Sequence, residues 1–421
     1  MSRGAVRAGW LMSSSAPTMR RLAASGRHPL VLAHRRQEAR LHSDATPTPP
    51  VLAARNAADA AAGARRKAPD DGQSPSKDRA TVASPAELPA VYFEMGKGKL
   101  SALVTLTAAA GYAMAVPVGS PIMWDMLAVT SGGTMLAAMS ASAFNQIMER
   151  ENDRRMTRTA RRPLVTGRIS PEHGYTVASM AGVGGVALLA LQINPVTAGL
   201  GAANIALYTC VYTPMKQKTH WNTWVGAVVG ALPPMMGWAA VTGNIGLGGL
   251  VMGGVLFSWQ MPHFLSLAYM MRNDYKAGGY IMMPGEAGSA ELARATRACI
   301  RHSVYLQVLC AATPFLGMAD PAFVAEATLL NGAFLYLSYQ FHNQGAKGNQ
   351  GKTNAAARKL FLGSLLYLPL LLGCMVFHRS GTEGAVPYHP GATPGEACPY
   401  TEANKMVSND EAKPAVPNER Q

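Results

Sequence analysis

The feature that most constrains the fold is a series of apolar segments that begins near Leu100. A helix that crosses a bilayer needs about 20 mostly apolar residues, within a range of about 17 to 25. About nine such segments can be placed, at approximately 100–118, 122–148, 173–193, 196–214, 222–242, 247–270, 303–319, 323–341 and 358–377. Glycine and other small residues recur inside them, which suits close helix packing in lipid. The pattern predicts an all-α, polytopic membrane helical bundle with about nine transmembrane helices.

The distribution of charge supports this prediction. Charged residues make up 15% of the chain and hydrophobic residues 48%, and the lysines and arginines gather in the loops after the second, fourth, sixth and eighth segments. The other loops are short and almost uncharged, so the N-terminus and all charged loops are predicted on the inner face. The net charge of +14 is explained by a lipid bilayer and not by nucleic acid, because no basic patch is interleaved with aromatics on a soluble fold. The five cysteines show no C-x-x-C spacing, which indicates neither a disulfide framework nor a zinc site.

The two ends of the chain differ from the apolar middle. Residues 1–45 are rich in Arg and Ser and contain no acidic residue before Glu38, which is typical of a mitochondrial transit peptide. A basic tail without a targeting role is the alternative. Residues 46–91 are predicted to be a disordered linker, 92–378 the membrane domain, and 379–421 a disordered C-terminal tail on the side opposite the charged loops.

The first polar cluster is FNQIMERENDRRMTRTARRPL, residues 144–164. Asn145, Glu149 and Asp153 are spaced by four, so a helix places their oxygen atoms on one face. Carboxylate and amide oxygens are the ligands that Mg²⁺ prefers. The arginines that follow can bind phosphate oxygens in pairs; they are Arg154, Arg155, Arg158, Arg161 and Arg162. The cluster therefore predicts a diphosphate site, and the alternative is a solvated face whose arginines contact lipid phosphate.

The second polar cluster lies in the loop between the fourth and fifth segments. It contains Tyr212, Thr213, Lys216, Lys218 and Thr219. The following helix carries Pro233 and Pro234, which predict a kink beside this cationic loop. Such an arrangement can shape a pocket, although ordinary positive-inside lysines explain Lys216 and Lys218 equally well.

The third polar cluster surrounds the end of the sixth segment. His263 lies inside an apolar helix, and Arg272, Asp274, Tyr275 and Lys276 follow just past its end. An ionisable residue at membrane depth is a candidate functional group. The alternative is a structural histidine bonded to a carbonyl that Pro262 leaves free. Asp274 follows His263 by eleven residues and falls on nearly the same helical face, where it could hold a second Mg²⁺ or orient Lys276.

These three strings, together with KGKLSALVTLTAAAGY at 97–112, resemble the UbiA superfamily of intramembrane prenyltransferases. Within that superfamily they are most similar to the branch that farnesylates protoheme IX. Other members carry an acid-rich second motif, whereas this chain has His263 at the place of the first acid and Asp274 near the last. Glu149 stands where many relatives have aspartate, which is compatible with the mitochondrial branch.

The resemblance implies a reaction that joins the farnesyl group of farnesyl diphosphate to a vinyl group of heme B, giving heme O. It implies Mg²⁺ on Asn145, Glu149 and Asp153, with Asp274 as a further ligand. The implied catalytic residues also include Arg158, Lys216 and His263. Of these, His263 would ligate the heme iron or steady the porphyrin. The implied diphosphate-binding residues are Arg154, Arg162, Tyr212, Lys218, Arg272 and Lys276.

The resemblance further implies a mitochondrial inner-membrane location with the active-site loops in the matrix, and a downstream heme A synthase as a candidate partner. Three other functions stay open at this point. They are prenylation of a quinone precursor by the same fold, membrane transport, and heme binding by an assembly factor without catalysis.

Overall fold

A computed structural model of the protein describes residues 82–380. The predicted transit peptide, the linker up to residue 81 and the tail from residue 381 lie outside the described residues. In chain order the helices are α1 (Leu88–Met95), α2 (Gly98–Ala115), α3 (Trp124–Met148), α4 (Arg150–Arg154), α5 (Pro163–Thr166), α6 (Pro171–Gln192), α7 (Pro195–Ala206), α8 (Thr213–Met215), α9 (Asn222–Thr242), α10 (Gly246–Met270), α11 (Arg272–Ala277), α12 (Ala290–Ala312), α13 (Pro321–Ala346) and α14 (Gln350–Phe377). A π-helical turn, Leu207–Tyr212, joins α7 to α8, and a 3₁₀ turn, Pro314–Leu316, follows α12. The prediction of an all-α bundle is confirmed, and within the described range β structure is limited to an isolated bridge between Ala319 and Arg379.

The first six predicted segments match long helices to within three residues at each end, when the π turn and α8 are counted with α7. The seventh segment, predicted at 303–319, is α12, which begins at Ala290 and ends at Ala312. The predicted start was wrong because Arg294, Arg297 and Arg301 lower the hydropathy of the first half of the helix. Among residues 82–380, four helices are long and apolar enough to cross a membrane, by length and composition: α3, α6, α9 and α14. The exact count of nine spans stays a prediction.

The helices pack into one continuous bundle. Helix α3 packs on α6, α9 packs on α2, α7 and α10, and α12, α13 and α14 pack in sequence. Helix α14 also contacts α10 and α2, which joins the last helix to the first long one. Helices α2 and α9 touch backbone to backbone, because a Cβ at Gly111 would collide with the Pro234 carbonyl and one at Gly237 with the Ala108 carbonyl. Small residues permit this approach in lipid, where apolar burial no longer drives association.

Helix α9 runs without a break from Asn222 to Thr242, although it contains Pro233 and Pro234. Pro233 has no N–H to donate to the carbonyl four residues earlier, that of Val229. The Asn204 side chain fills this role by donating its Nδ2 to the Val229 carbonyl at 2.8 Å. An unpaired backbone carbonyl is costly at membrane depth, so this amide allows the prolines to remain in the helix.

Helix α1 begins at Leu88, four residues before the predicted start of the membrane domain, and the domain boundary at residue 92 stays a prediction. Gln146 fixes α1 to the end of α3, because its Nε2 donates to the carbonyls of Glu94 (3.2 Å) and Met95 (2.8 Å). The turn between α1 and α2 passes through Lys97 at φ 49°, the one non-glycine residue with positive φ in the described part of the chain. This turn directs Lys97 toward the polar end of α3.

Candidate functional site

The predicted row of oxygen donors lies at the C-terminal end of α3. Helix α3 ends at Met148 and α4 begins at Arg150, yet the hydrogen-bond ladder continues through Glu149. The Glu149 N–H donates to the Asn145 carbonyl at 3.0 Å, and the Asp153 N–H donates to the Glu149 carbonyl at 2.8 Å. The three side chains therefore stay on one face, and their exposed fractions are 0%, 4% and 2% for Asn145, Glu149 and Asp153. A solvated face would leave these groups in water, so the burial argues against that alternative.

Each member of the row contacts its own cation. The Lys97 Nζ donates to Asn145 Oδ1 at 2.8 Å, and the Lys216 Nζ lies 2.9 Å from Glu149 Oε1 and 3.2 Å from Oε2. Arg162 pairs with Asp153 through one short contact. Three basic side chains thus face two carboxylates in a largely buried cluster. Buried charges need such partners, because removing either charge from water alone is strongly unfavourable.

The electrostatic environment shifts the pKa of three of these groups. Burial raises the pKa of Asp153, while the Arg162 guanidinium opposes the shift. Burial lowers the pKa of Lys97 well below its usual range, and the positive charges of Arg162 and Lys216 lower it further. Burial also acts against the charged form of Lys216, but the Glu149 carboxylate outweighs it and the pKa of Lys216 is raised.

The three polar clusters that the sequence analysis singled out meet at this row. The first and second are joined by Asn145 Nδ2, which donates to Thr213 Oγ1 at 3.1 Å, and by the Glu149 and Lys216 pair. The Ile281 N–H donates to the Lys216 carbonyl at 2.8 Å, which joins the second to the third. Asn152 Nδ2 donates to the Gly278 carbonyl at 2.7 Å, which joins the third to the first. The contacts form one closed polar assembly at the end of the bundle.

Aromatic residues line this assembly beside its cations. The Lys216 Nζ lies 4.6 Å from the centre of the Tyr212 ring and 5.9 Å from that of Tyr280. The Arg158 guanidinium lies 5.6 Å from the centre of the Tyr275 ring. Contacts of this kind stabilise a cation that has lost water. Arg158, Lys216 and Tyr212 therefore lie in the assembly, and the roles expected of them stay predictions.

The hydrogen-bond partner of the Asp274 carboxylate is Thr157, which lies outside the row. Its Oδ1 accepts from the Thr157 N–H at 2.8 Å and from Thr157 Oγ1 at 2.7 Å. Partial burial acts to raise the pKa of Asp274, but the bonds from Thr157 lower it below its usual value. In the described residues no three His, Cys, Asp or Glu side chains converge as a metal-binding group. A role of Asp274 as a metal ligand stays a prediction.

Four of the predicted diphosphate-binding residues lie outside the row. Arg154 is exposed and pairs with Glu151 at 3.1 Å on the surface. Lys218 and Lys276 are exposed. Arg272 pairs with Glu286 at 3.1 Å and donates to the Tyr269 carbonyl at 2.9 Å. Arg162 is the predicted diphosphate-binding arginine that the structure brings onto the row.

His263 lies on α10 between two aromatic rings. Its ring centroid is 4.6 Å from that of Trp259 and 5.0 Å from that of Phe361, at interplanar angles of 19° and 29°. Its Nδ1 lies 2.7 Å from Ser364 Oγ on α14. The imidazole is therefore bonded to a neighbouring helix, and not to the carbonyl that Pro262 was expected to leave free.

The sequence analysis did not identify Lys97, Tyr208 or Tyr280 as site residues. The Lys97 Nζ lies 3.4 Å from Tyr208 OH. Tyr280 is buried, and burial raises the pKa of its hydroxyl. Lys97 carried a signal in the sequence, since it stands in a Gly-Lys-Gly-Lys string directly before the first apolar segment.

The donor set suits a hard divalent cation. Two carboxylates and one amide oxygen are the ligand types that Mg²⁺ takes when phosphate and water complete its shell. All three are buried and aligned, and each is held by a cation that can also bind phosphate oxygens. The residues therefore fit a metal ion bound together with a polyphosphate group.

The chain is similar to known proteins over most of its described residues. The model of the UbiA prenyltransferase family matches residues 103–376. The mitochondrial protoheme IX farnesyltransferase of Homo sapiens is 44% identical over 302 residues, which cover 71% of this chain and 64% of that protein. The Arabidopsis thaliana protein of the same name is 40% identical over 292 residues, 69% of this chain and 65% of that protein. The chain thus spans slightly less than two thirds of the length of these relatives.

Solved structures show the same fold at low sequence identity. A digeranylgeranylglyceryl phosphate synthase structure matches with a TM-score of 0.57 and 14% identity, covering 69% of this chain and 98% of that one. The apo structure of a UbiA homolog from Aeropyrum pernix K1 matches with a TM-score of 0.51 and 16% identity, covering 66% and 97%. The family match over most of the membrane domain confirms the resemblance, and the chain belongs to the UbiA prenyltransferase family.

Proposed function

We propose that this protein transfers the farnesyl group of farnesyl diphosphate to a vinyl group of protoheme IX (heme B), giving heme O and diphosphate. The observation that carries the proposal is the buried row of Asn145, Glu149 and Asp153, each held by its own cation. This arrangement suits a polyphosphate substrate bound at the edge of an apolar bundle. The choice of heme B as acceptor rests on relatives 34–44% identical that are named protoheme IX farnesyltransferase.

The chain's own residues account for departure of the diphosphate. Lys97, Lys216 and Arg162 are placed to donate to its oxygens as negative charge builds up there, in a site from which water is largely excluded. Asn145, Glu149 and Asp153 would hold Mg²⁺, which when bound neutralises phosphate charge and favours breakage of the C–O bond. The electron pair of that bond leaves with the diphosphate.

The acceptor then completes the reaction. The vinyl group of heme B supplies the electron pair for the new C–C bond to the farnesyl carbon. Water adds to the resulting cation and loses a proton, which gives the hydroxyethylfarnesyl side chain. His263, held between Trp259 and Phe361, would contact the porphyrin or its iron, since flat aromatic surroundings suit a flat substrate.

The proposal includes a place in the cell. The apolar helices and the mitochondrial names of the relatives support a mitochondrial membrane. Within it we propose the inner membrane, with the charged loops in the matrix, as the positive charge of those loops favours. Heme O would pass from here to the downstream heme A synthase, the proposed partner.

The acceptor is tested by reconstituting the purified chain in liposomes with farnesyl diphosphate and Mg²⁺. Heme B and a quinone-ring precursor are supplied separately, and products are separated by chromatography and identified by mass. We expect farnesylated, hydrated heme and no prenylated ring compound. Prenylation of the ring compound alone would refute the choice of heme. Absence of both products, together with passage of a charged solute across the liposomes, would favour a transporter.

A further inference from the structure

The two ring nitrogens of His263 have different surroundings. Nδ1 lies 2.7 Å from Ser364 Oγ on α14. Nε2 forms no hydrogen bond with any of residues 82–380 and is not fully enclosed, so this edge of the ring faces open space. A neutral imidazole carries its proton on one nitrogen and a lone pair on the other. The position of the proton therefore decides what the open edge of the ring can bind.

A second hydrogen bond of Ser364 determines the position of that proton. Ser364 Oγ donates to the Phe361 carbonyl, one turn earlier in α14, at 2.5 Å. Two oxygen atoms at this distance need a hydrogen between them, and a carbonyl has none to supply. The single hydroxyl proton of Ser364 is thus used on Phe361, so Ser364 Oγ must accept from His263. Nδ1 therefore carries the proton and Nε2 has the lone pair, since a ring protonated on both nitrogens would place a charge inside an apolar helix.

The aromatic neighbours of His263 hold the ring in this orientation. Trp259 and Phe361 stack on it, with ring centroids 4.6 Å and 5.0 Å away. The Trp259 Nε1 donates to the Ser364 carbonyl at 2.9 Å, so one residue of α14 binds both the imidazole and a ring that stacks on it. Ser364 is 0% exposed, and water does not compete for these bonds. The lone pair of Nε2 is thus presented in one fixed direction.

His263 lies next to a residue that packs against the polar assembly. The ring centroid of Phe264 is 6.5 Å from that of Tyr275. The Tyr275 ring in turn lies beside the Arg158 guanidinium. A ligand bound at His263 would therefore be held toward the same end of the bundle as the row.

We propose that Ser364 is a positioning residue that holds His263 in the Nδ1–H tautomer, so that Nε2 ligates the iron of the heme substrate. Histidines that ligate metals commonly donate their second N–H to a neighbouring acceptor, which fixes the ring and makes the ligating nitrogen more basic. Ser364 supplies that acceptor from another helix. This inference rests on the proposed function, because it takes heme as the acceptor of the farnesyl group.

The test combines heme affinity with a vibrational signature of the iron–nitrogen bond. Heme B is titrated into the purified full chain by absorption, and resonance Raman spectra of the ferrous complex are searched for an iron–histidine stretching band. We expect this band in the parent and its loss in His263→Ala. Ser364→Ala removes the acceptor of the Nδ1 proton, so the band should move to lower frequency and the heme Kd should rise by about tenfold. Ser364→Thr keeps the hydroxyl and is expected to restore both.

Ser266→Ala is the matched control. Ser266 is a buried serine of α10 whose hydroxyl donates to the Pro262 carbonyl at 2.8 Å and not to the imidazole, so neither the band nor the affinity should change. Binding of farnesyl diphosphate, measured on the same preparations, should be unchanged in every variant. If Ser364→Ala loses that binding, Ser364→Cys gives the same comparison, because a thiol of similar shape accepts only weakly.

Three results would overturn the proposal while leaving heme as the acceptor. They are an iron–histidine band that persists in His263→Ala, a band and a heme Kd in Ser364→Ala equal to those of the parent, and heme binding by the parent without such a band. A parent that binds no heme would overturn both this proposal and the choice of acceptor.

Discussion

Replacing Lys97 with methionine is expected to remove activity while leaving the fold intact. The Lys97 Nζ contacts Asn145 Oδ1 at 2.8 Å in the row, but its burial disfavours the charged amine. A hydrogen bond that involves a charged group contributes about 1.5–3 kcal/mol, and 1.4 kcal/mol is tenfold, so we expect kcat/KM for farnesyl diphosphate to fall by about 10- to 150-fold. The thermal unfolding midpoint should shift by only a few degrees, because the loss of the hydrogen bond to Asn145 is offset by removal of the cost of burying the amine.

The backbone conformation at Lys97 allows a second comparison, between the stabilities of the glycine and methionine variants. A non-glycine residue in the left-handed region costs about 1–2 kcal/mol, and glycine adopts this region freely. Lys97→Gly is therefore expected to be more stable than Lys97→Met by about 1 kcal/mol and equally inactive. Both are measured by thermal unfolding in the same detergent and by turnover with heme B and farnesyl diphosphate.

The pH dependence of kcat/KM is a third test of the role of Lys97. The lowered pKa of Lys97 means that the amine is charged at low pH and loses its proton as pH rises, before an ordinary lysine would. We expect kcat/KM to decline on the alkaline side below pH 10.5, the usual value for lysine. Lys97→Arg keeps its charge throughout this range and should lack that decline. Activity of Lys97→Met within threefold of the parent, or an unchanged alkaline decline in Lys97→Arg, would refute the assignment.

Three further predictions concern positions around the site and in the bundle. Arg162→Gln leaves the Asp153 carboxylate buried without its partner and is expected to destabilise the protein by about 3–5 kcal/mol, measured as a lower unfolding midpoint. Restored stability in the double variant Arg162→Gln and Asp153→Asn would confirm that the two residues are coupled. Arg154→Gln is expected to leave kcat/KM within twofold of the parent, because Arg154 pairs with Glu151 at the surface; a tenfold loss would place it in the site after all. Asn204→Leu is expected to cost about 1–3 kcal/mol of stability by leaving the Val229 carbonyl unpaired, and an unchanged unfolding midpoint would contradict that role.

The fold was predictable where one physical rule decided the pattern. Segments of apolar residues of bilayer length located most of the helices, since few charges interrupt them. Helix α12 was misplaced because Arg294, Arg297 and Arg301 lie within its first half, where hydropathy gives no helical signal. Helix α1 was missed because a short helix held by Gln146 depends on tertiary contacts and not on its own composition.

The candidate site was predictable to the extent that helical spacing determined it. The i,i+4 rule placed Asn145, Glu149 and Asp153 on one face, and the structure shows that row buried. Which cation meets which oxygen depends on how distant segments pack. Lys97 is 48 residues from Asn145, and Lys216 is 67 residues from Glu149. Spacing could not distinguish Arg162, which pairs with Asp153, from Arg154, which lies one residue from Asp153 and faces the surface.

The central claim is that the row at the end of α3 binds the metal and diphosphate of a prenyl transfer to heme. The most direct measurement is heme O formation by the purified chain in liposomes containing heme B and farnesyl diphosphate, at increasing Mg²⁺, for the parent and for Asp153→Ala. We expect Mg²⁺-dependent heme O from the parent, lost on chelation, and at least a hundredfold less from Asp153→Ala at every Mg²⁺ concentration. Full heme O yield from Asp153→Ala would contradict it.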